Sequence, residues 1–390
     1  MPRSLRKVWP RSAAYDRKWY IAGVLAAGLA AGAWALRDVP AALGGVPTGD
    51  RLRRMRSSPR FDGTAFRNTE PDTKISAEAV RKIRRDLLLG DLRRAPAGAV
   101  PVLRPSFGDP RPRPDAAGRG TGELRATWLG HATTLVEIEG RTVLFDPVWS
   151  ERCSPSRRIG PRRLHPVPLP LSELPRIDAV AISHDHYDHL DMATVRELTR
   201  TRAAPFLVPL GVGAHLERWG VPASRIVELD WEEHAEIAGL RITATAARHF
   251  SGRGLTRNPT LWSSWVVAGA RRRVFYTGDS GYFPGYAAIG AAHGPFDLTL
   301  VQIGAYGPTW PDIHMTPEEA VTAHLDLRGR VMLPVHWCTF TLAFHAWDEP
   351  VERLWQEAKS RGVRLVVPRP GERVDVDDPP PADPWWRALT

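Results

Sequence analysis

Residues 178–191 of the 390-residue chain read DAVAISHDHYDHLD, and they carry its most informative sequence pattern. Its apolar beginning is typical of a buried strand, and a helix is predicted to start near Asp191. Between them lies an HxHxDH motif, spelled Ser183-His184-Asp185-His186-Tyr187-Asp188-His189. Three histidines and an aspartate in this order, in a turn from strand to helix, indicate a metal-binding loop rather than a solvated histidine cluster.

The spacing within the motif fits two neighbouring cations. His184 and His186 are two residues apart, so in an extended or tight-loop backbone their imidazoles can point at one cation. Asp188 and His189 lie beyond the turn and can reach a second cation nearby. Imidazole and carboxylate ligands without a thiolate suit zinc, and iron or manganese would also be tolerated.

Three further candidates close apolar runs elsewhere in the chain. His249 follows RITATAAR, Asp279 follows RRVFYTG, and His336 follows RVMLPV. Gly278 and Gly281 flank the aspartate and would let the backbone turn sharply beside an ion. A single histidine or aspartate at a strand end is usually ordinary edge chemistry, but three such positions favour a site.

From residue 124 onward, runs typical of strands alternate with runs typical of helices. Helices are predicted around 191–201, 211–219, 316–326 and 347–361, with strand-like runs between them. Such interleaving over some 250 residues predicts a layered α/β domain.

Taken together, these motifs resemble the metallo-β-lactamase superfamily, and within it the N-acylphosphatidylethanolamine-hydrolysing phospholipase D group. Supporting stretches are WLGHATTLVEIEGRTVLFDPVWSERCSP, TGDSGYF, IGAYGPTW, HMTPEEAV and HWCTF, and SPRFDGTAFRN at 58–68 resembles the lead-in segment of that group. The resemblance implies a four-layer αβ/βα fold and a hydrolase with two zinc ions.

Carried over by position, the resemblance implies a role for ten residues. One metal would be bound by His184, His186 and His249, the second by Asp188, His189 and His336, and Asp279 would bridge the two. Asp188, Asp279 and His314 are the expected catalytic residues, and His131, Tyr187 and His314 the expected substrate contacts. Two departures adjoin the site: Cys338 stands where glycine is common, and Gln302 where proline is common.

The N-terminal part divides into a basic segment 1–18, an uncharged run 19–36 and a lead-in with a Pro/Gly/Arg-rich linker, 37–122. The hydrolase domain is predicted at 123–370, followed by a polar C-terminal tail, 371–390. Eighteen helical residues span roughly 27 Å, so 19–36 is predicted to be a transmembrane anchor, with a cleaved signal sequence as the alternative. The catalytic domain is then expected on the extracytoplasmic side.

The formal net charge of +10 favours anionic partners. With the anchor and the motifs, it predicts a membrane-associated phosphodiesterase acting on phospholipid, anionic lipid being the expected partner. A lactonase or carboxylic-ester hydrolase with a soluble substrate is the alternative, and a non-enzymatic scaffold domain is the third reading. No nucleic-acid motif is evident. Two cysteines cannot build a disulfide framework, and a dimer is compatible with the sequence.

Overall fold

The computed structural model describes residues 32–73, 76–89, 93–107 and 123–390. In these parts the chain forms two mixed sheets, one of seven strands and one of six, with helices on their outer faces. This is the four-layer αβ/βα arrangement that the sequence predicted.

The seven-stranded sheet has the order β13-β1-β2-β3-β4-β5-β6. Its strands β3 to β6 are parallel, so their carboxyl ends lie along one edge. The strands are β1 Leu124–Gly130, β2 Thr133–Ile138, β3 Arg141–Phe145, β4 Ala179–Ala181, β5 Phe206–Pro209, β6 Ile226–Leu229 and β13 Arg373–Asp375.

The six-stranded sheet has the order β12-β11-β10-β9-β8-β7, and β10 to β12 are parallel. Its strands are β7 His234–Ile237, β8 Leu240–Thr245, β9 Ser264–Ala268, β10 Arg273–Tyr276, β11 Phe296–Gln302 and β12 Gly329–Val335. The domain helices are α4 Met192–Thr201, α5 Gly213–Arg218, α6 Gly285–His293, α7 Pro317–Asp326 and α8 Glu349–Ser360.

The central strands are apolar on both faces because each face meets a different layer. Val136 and Val143 point into the core between the sheets, whereas their neighbours Leu135 and Leu144 pack with α4 and α5. Since successive side chains of a strand alternate in direction, both sets must be apolar. This packing on both faces fixes the positions of the strand ends and of the loops that follow them.

The lead-in is folded onto the domain rather than separate from it. It contains the helices α1 Val39–Ala42, α2 Gly49–Ser57 and α3 Ala77–Leu89. At the other end of the chain, Trp385 and Trp386 are buried and pack with Trp337, which directly follows a predicted metal ligand. The C-terminal tail thus packs against the segment that carries His336.

The predicted transmembrane anchor is wrong. No helix in the part of the chain that the structure describes has the length and apolarity needed to cross a bilayer. Residues 19–31 lie outside the described residues, and 32–36 are helical, with the Ala35 carbonyl bonded to Ser156 and the Trp34 ring under Arg158. The prediction relied on the absence of charge, although ten of the eighteen residues are alanine (seven) or glycine (three). The predicted localisation, which depended on a single-pass anchor, is therefore wrong as well.

Candidate metal centre

The predicted ligands come together at the edge where the parallel strands end. The HxHxDH loop follows β4, His336 directly follows β12, and Asp279 lies three residues after β10. His249 does not end its strand as expected, but lies in the loop after β8. Carboxyl ends of parallel strands are the usual place for a site in α/β folds, since the loops there converge.

One group of nitrogen atoms consists of the first three predicted ligands. His184 Nε2 lies 2.8 Å from His186 Nδ1, which lies 3.3 Å from His249 Nε2. The three atoms lie within 4.8 Å of one another; the His184 and His249 rings are almost fully buried, and His186 is half-buried. Three inward-facing imidazole nitrogens are a donor set for one cation.

The second group shares an aspartate with the first. Asp279 Oδ2 lies 3.0 Å from His189 Nε2 and 3.1 Å from His336 Nε2. The same oxygen lies 3.9 Å from Nε2 of both His184 and His249. Asp279 therefore stands between the two groups, as a bridging ligand must.

Asp188 completes the second group. Its Oδ2 lies 3.2 Å from His336 Nε2, 3.4 Å from His189 Nε2 and 2.9 Å from His131 Nε2. His131 thus bonds to a predicted ligand, and its ring contacts Phe340. His131 and His336 both have positive φ values, 53° and 66°, which cost energy for residues with a side chain and are common where a site imposes the backbone conformation.

Burial and mutual charge divide the histidines into two classes when no metal is bound. Burial first, and then the neighbouring imidazoles, lower the pKa values of His184 and His249 well below the ordinary value, so both are neutral. Burial also opposes charge on His189 and His336, but the nearby carboxylates, Asp279 foremost, raise the pKa of His189 well above its ordinary value and that of His336 to about 9. The second group therefore holds protons that a cation would replace.

Asp146, which directly follows β3, orients the second group from behind, and the sequence argument missed it. This fully buried carboxylate accepts a hydrogen bond of 2.6 Å from His189 Nδ1, and further bonds from the Ser183 backbone N–H, the Ser183 hydroxyl and the Tyr276 hydroxyl. Such a carboxylate fixes the tautomer and direction of a ligand histidine. Its place at the end of RTVLF was the signal available in the sequence.

Asn68 supports the first group from the lead-in. Its amide nitrogen donates to the His249 carbonyl (2.8 Å), and its amide oxygen accepts from the His249 backbone N–H (3.1 Å). His249 Nδ1 in turn donates to the Ile313 carbonyl, which leaves Nε2 facing the group. The lead-in is thus part of the site's framework.

The remaining predicted substrate contacts have different surroundings. His314 Nε2 lies 3.7 Å from Asp279 Oδ2, within the ligand cluster. Tyr187 donates its hydroxyl to the Arg253 carbonyl and lines a separate cavity. Gln302 bonds to the Gly304 carbonyl and the Met315 backbone N–H, so it organises the loop that carries His314.

The residues present fit a pair of divalent transition-metal ions. His189 Nε2 and Asp279 Oδ1 are buried and make no hydrogen bond to a described residue, which is costly unless a ligand completes them. The donors are nitrogen and oxygen, and neither buried cysteine, Cys153 or Cys338, belongs to a candidate group in the described ranges. Metal binding is therefore the chemistry that this donor set supports.

Residues 141–337 match the family model of the beta-lactamase superfamily domain. The matched residues make up half of the chain and include all seven predicted ligands. The chain belongs to the metallo-β-lactamase superfamily. As a member of this superfamily, it is a metal-dependent hydrolase.

Full-length relatives of this superfamily member are found in mycobacteria. An uncharacterized protein from Mycobacterium tuberculosis is 50% identical over 369 residues, which cover 93% of this chain and 96% of that protein. The likeness therefore extends beyond the superfamily domain into the lead-in.

Relatives with a named activity match over less of their length. The N-acyl-phosphatidylethanolamine-hydrolyzing phospholipase D 1 of Caenorhabditis elegans is 41% identical over 231 residues, covering 56% of this chain and 65% of that protein. Among solved structures, a metallo hydrolase from Ignicoccus hospitalis is 24% identical with a TM-score of 0.51, covering 64% of this chain and 97% of that one. That structure shows the same fold.

Proposed function

We propose that the protein is a binuclear zinc phosphodiesterase of the phospholipase D type, acting on phospholipids like N-acylphosphatidylethanolamine. The observation that carries the proposal is Asp279, whose carboxylate lies between two complete ligand groups. The likeness to the worm enzyme supports the choice of a phosphodiester substrate.

When bound, a pair of zinc ions supplies a Lewis acid for the phosphoryl oxygens and lowers the pKa of a coordinated water towards 7. The first group would be held by His184, His186 and His249, and the second by Asp188, His189 and His336. Burial behind these residues keeps bulk water away from them, which strengthens electrostatic interactions in the site.

His314 is the residue that we assign to the leaving group. Burial lowers the pKa of His314 to about 3, so its imidazole is neutral and can share a hydrogen bond without adding charge. Since Nε2 points towards Asp279, this nitrogen is placed to contact the head-group oxygen as the bond to phosphorus breaks.

Two aromatic side chains, each covered by an arginine, flank the ligand groups. The Phe250 ring lies 4.5 Å from the His186 ring, and the Arg257 guanidinium lies over it at 4.2 Å. On the other side, Phe340 lies 5.1 Å from His131, with Arg163 over the phenyl ring. An apolar surface next to a cation suits a substrate with both acyl chains and an anionic diester.

The proposed reaction balances with water as the co-substrate. The water oxygen bonds to phosphorus, the bond from phosphorus to the head-group oxygen breaks, and the water's proton goes to the leaving alkoxide. The products are phosphatidate and a free N-acylethanolamine.

The test is turnover by the purified, zinc-loaded chain on a panel of N-acylphosphatidylethanolamine in mixed micelles, bis-p-nitrophenyl phosphate and simple lactones. Mass spectrometry should detect both phosphatidate and N-acylethanolamine from the lipid, and a chelator should stop their release. Hydrolysis of lactones alone would overturn the proposal in favour of a lactonase.

A variant pair separates the site from general effects of removing a buried carboxylate. Asp279→Ala should abolish turnover, because both groups lose their shared ligand. Asp178→Asn should keep it, because Asp178 directly precedes β4, at the end of that strand opposite the HxHxDH loop, where the buried carboxylate accepts a bond from the Thr142 backbone N–H. An active Asp279→Ala protein would refute the role of the bridge.

A further inference from the structure

A cavity of about 300 Å³ adjoins the HxHxDH loop without including a predicted metal ligand. Tyr187 and Leu190 form the wall that it shares with the loop. Helix α4 contributes its first residues, Met192 and Ala193, and residues 150–157 contribute the opposite side. The cavity is therefore next to the metal centre but separate from it.

A buried arginine lines this cavity with part of its guanidinium unoccupied. Arg253 is 6% exposed, and its Nε and Nη1 donate to the carbonyls of Ala42, Asp185 and Leu190. No hydrogen bond joins Nη2 to a described residue, and Nη2 retains some exposure to solvent. Since the side chain lines the cavity, Nη2 is available there.

The charge of Arg253 also lacks a direct counter-ion. Its guanidinium lies over the Tyr187 ring at 4.0 Å, and no carboxylate in the described ranges comes within the 4.0 Å of an ion pair. Asp185 and Asp191 act on it from farther away. A buried cation without a paired anion is costly, which favours a ligand that brings one.

The acidic residues of the wall are engaged elsewhere, and none of the three forms an ion pair with Arg253. Each of the three has its own partners: Asp38 pairs with Arg158, Glu151 pairs with Arg162, and Asp191 caps α4 by accepting from Ala193, Thr194 and the Ser150 backbone N–H.

Two more arginines stand at the rim of the cavity. Arg157 is exposed, and no hydrogen bond or ion pair joins its side chain to any residue that the structure describes. Arg152 donates from Nη1 to the Gly160 carbonyl. With Arg253 these side chains place three arginines around the cavity, whose lining also includes the apolar Leu190 and Met192.

We infer that this cavity binds a small organic anion, a phosphate or a carboxylate on a short apolar body, with Arg253 and Arg157 as its charged contacts. The inference does not depend on the proposed reaction. Arg253 Nη1 bonds to the carbonyls of Asp185 and Leu190, at either end of the ligand loop, so an anion held by the same guanidinium would be coupled to the metal ligands.

Calorimetric titration of the zinc-loaded full chain with inorganic phosphate and with butyrate tests the inference, with butyramide as the neutral control ligand. At least one anion should bind, and butyramide should not. The anion that binds shows whether the cavity takes a phosphate or a carboxylate. Because phosphate can also bind at a metal pair, the titration is repeated with Asp279→Asn, which should keep binding at the cavity.

Two variants on the wall and one matched control locate the binding. Arg157→Gln removes one charge, and Ala193→Phe fills the cavity at constant charge; each should weaken binding by about tenfold. Arg200→Gln, which changes the net charge equally at the exposed far end of α4, should bind as the native chain does. Unchanged affinity in both wall variants, or no binding of either anion to the native chain, would overturn the inference.

Discussion

Asp146→Asn should weaken zinc binding although Asp146 is not itself a predicted metal ligand. The carboxylate has no solvent exposure and accepts from four donors, with His189 Nδ1 at 2.6 Å. Three of these donors meet Oδ2 and the Ser183 backbone N–H meets Oδ1. An amide replaces one acceptor by an NH₂ group, so whichever way it turns, at least one buried donor faces another donor.

The magnitude follows from what is lost at His189. A hydrogen bond to a charged partner contributes about 1.5–3 kcal/mol. Loss of a carboxylate behind a ligand histidine typically weakens metal affinity about 10–100-fold, or roughly 1.4–2.8 kcal/mol. We therefore expect a zinc dissociation constant one to two orders of magnitude higher.

The assay is competition for zinc with a chromophoric chelator at fixed pH, with thermal unfolding of each metal-free variant measured alongside. Asp178→Asn is the matched control, because it makes the same chemical change at the opposite end of β3 and should keep native affinity. Native zinc affinity in a folded Asp146→Asn protein, or an equal loss in the control, would refute this reasoning.

Three further outcomes are expected. Because the carboxylates raise the pKa of His189 well above its ordinary value and that of His336 to about 9, both are protonated in the metal-free chain at pH 7; zinc should then displace about two protons, with affinity falling as the pH falls below 9. Calorimetry in buffers of different ionisation heat measures this release, and less than one proton would contradict it. Asn68→Ala should raise the zinc dissociation constant about tenfold, because it removes both hydrogen bonds to the His249 backbone. Asn68→Asp keeps only the acceptor, so its dissociation constant should lie between those of the native chain and Asn68→Ala. Competition with a chelator measures all three, and equal affinities would argue against a role for these two hydrogen bonds. Trp386→Ala should lower the free energy of unfolding in urea by about 3–5 kcal/mol because the ring is fully buried, and a loss below about 1 kcal/mol would show that the tail is dispensable.

The sequence predicted the ligand loop because its chemistry is local. The HxHxDH pattern lies within six consecutive residues, and apolar runs predict the strands before His249, Asp279 and His336. The pairing of Phe145 with Ala181, which brings Asp146 next to Ser183, depends on long-range register that no local pattern contains. Asn68 was missed for the same reason, since 181 residues separate it from His249.

Elements with weak periodicity were also missed or misplaced. Helix α6, GYAAIGAAH, is mostly alanine and glycine and shows little amphipathic pattern. Strands β6 and β7 are short and carry charged residues. By contrast, residues 363–368, VRLVVP, have the apolar composition of a strand, yet they form only an isolated bridge from Leu365 to Met332. The buried Trp385 and Trp386 show that tertiary packing can override a polar, proline-rich context.

In the proposed binuclear centre, one carboxylate, Asp279, joins two complete sets of ligands. The decisive measurement is elemental analysis of the purified chain after dialysis against zinc. We expect two zinc ions per chain, falling below two in Asp279→Ala while Asp178→Asn stays at two. One ion or none in the native chain would rule out a binuclear centre.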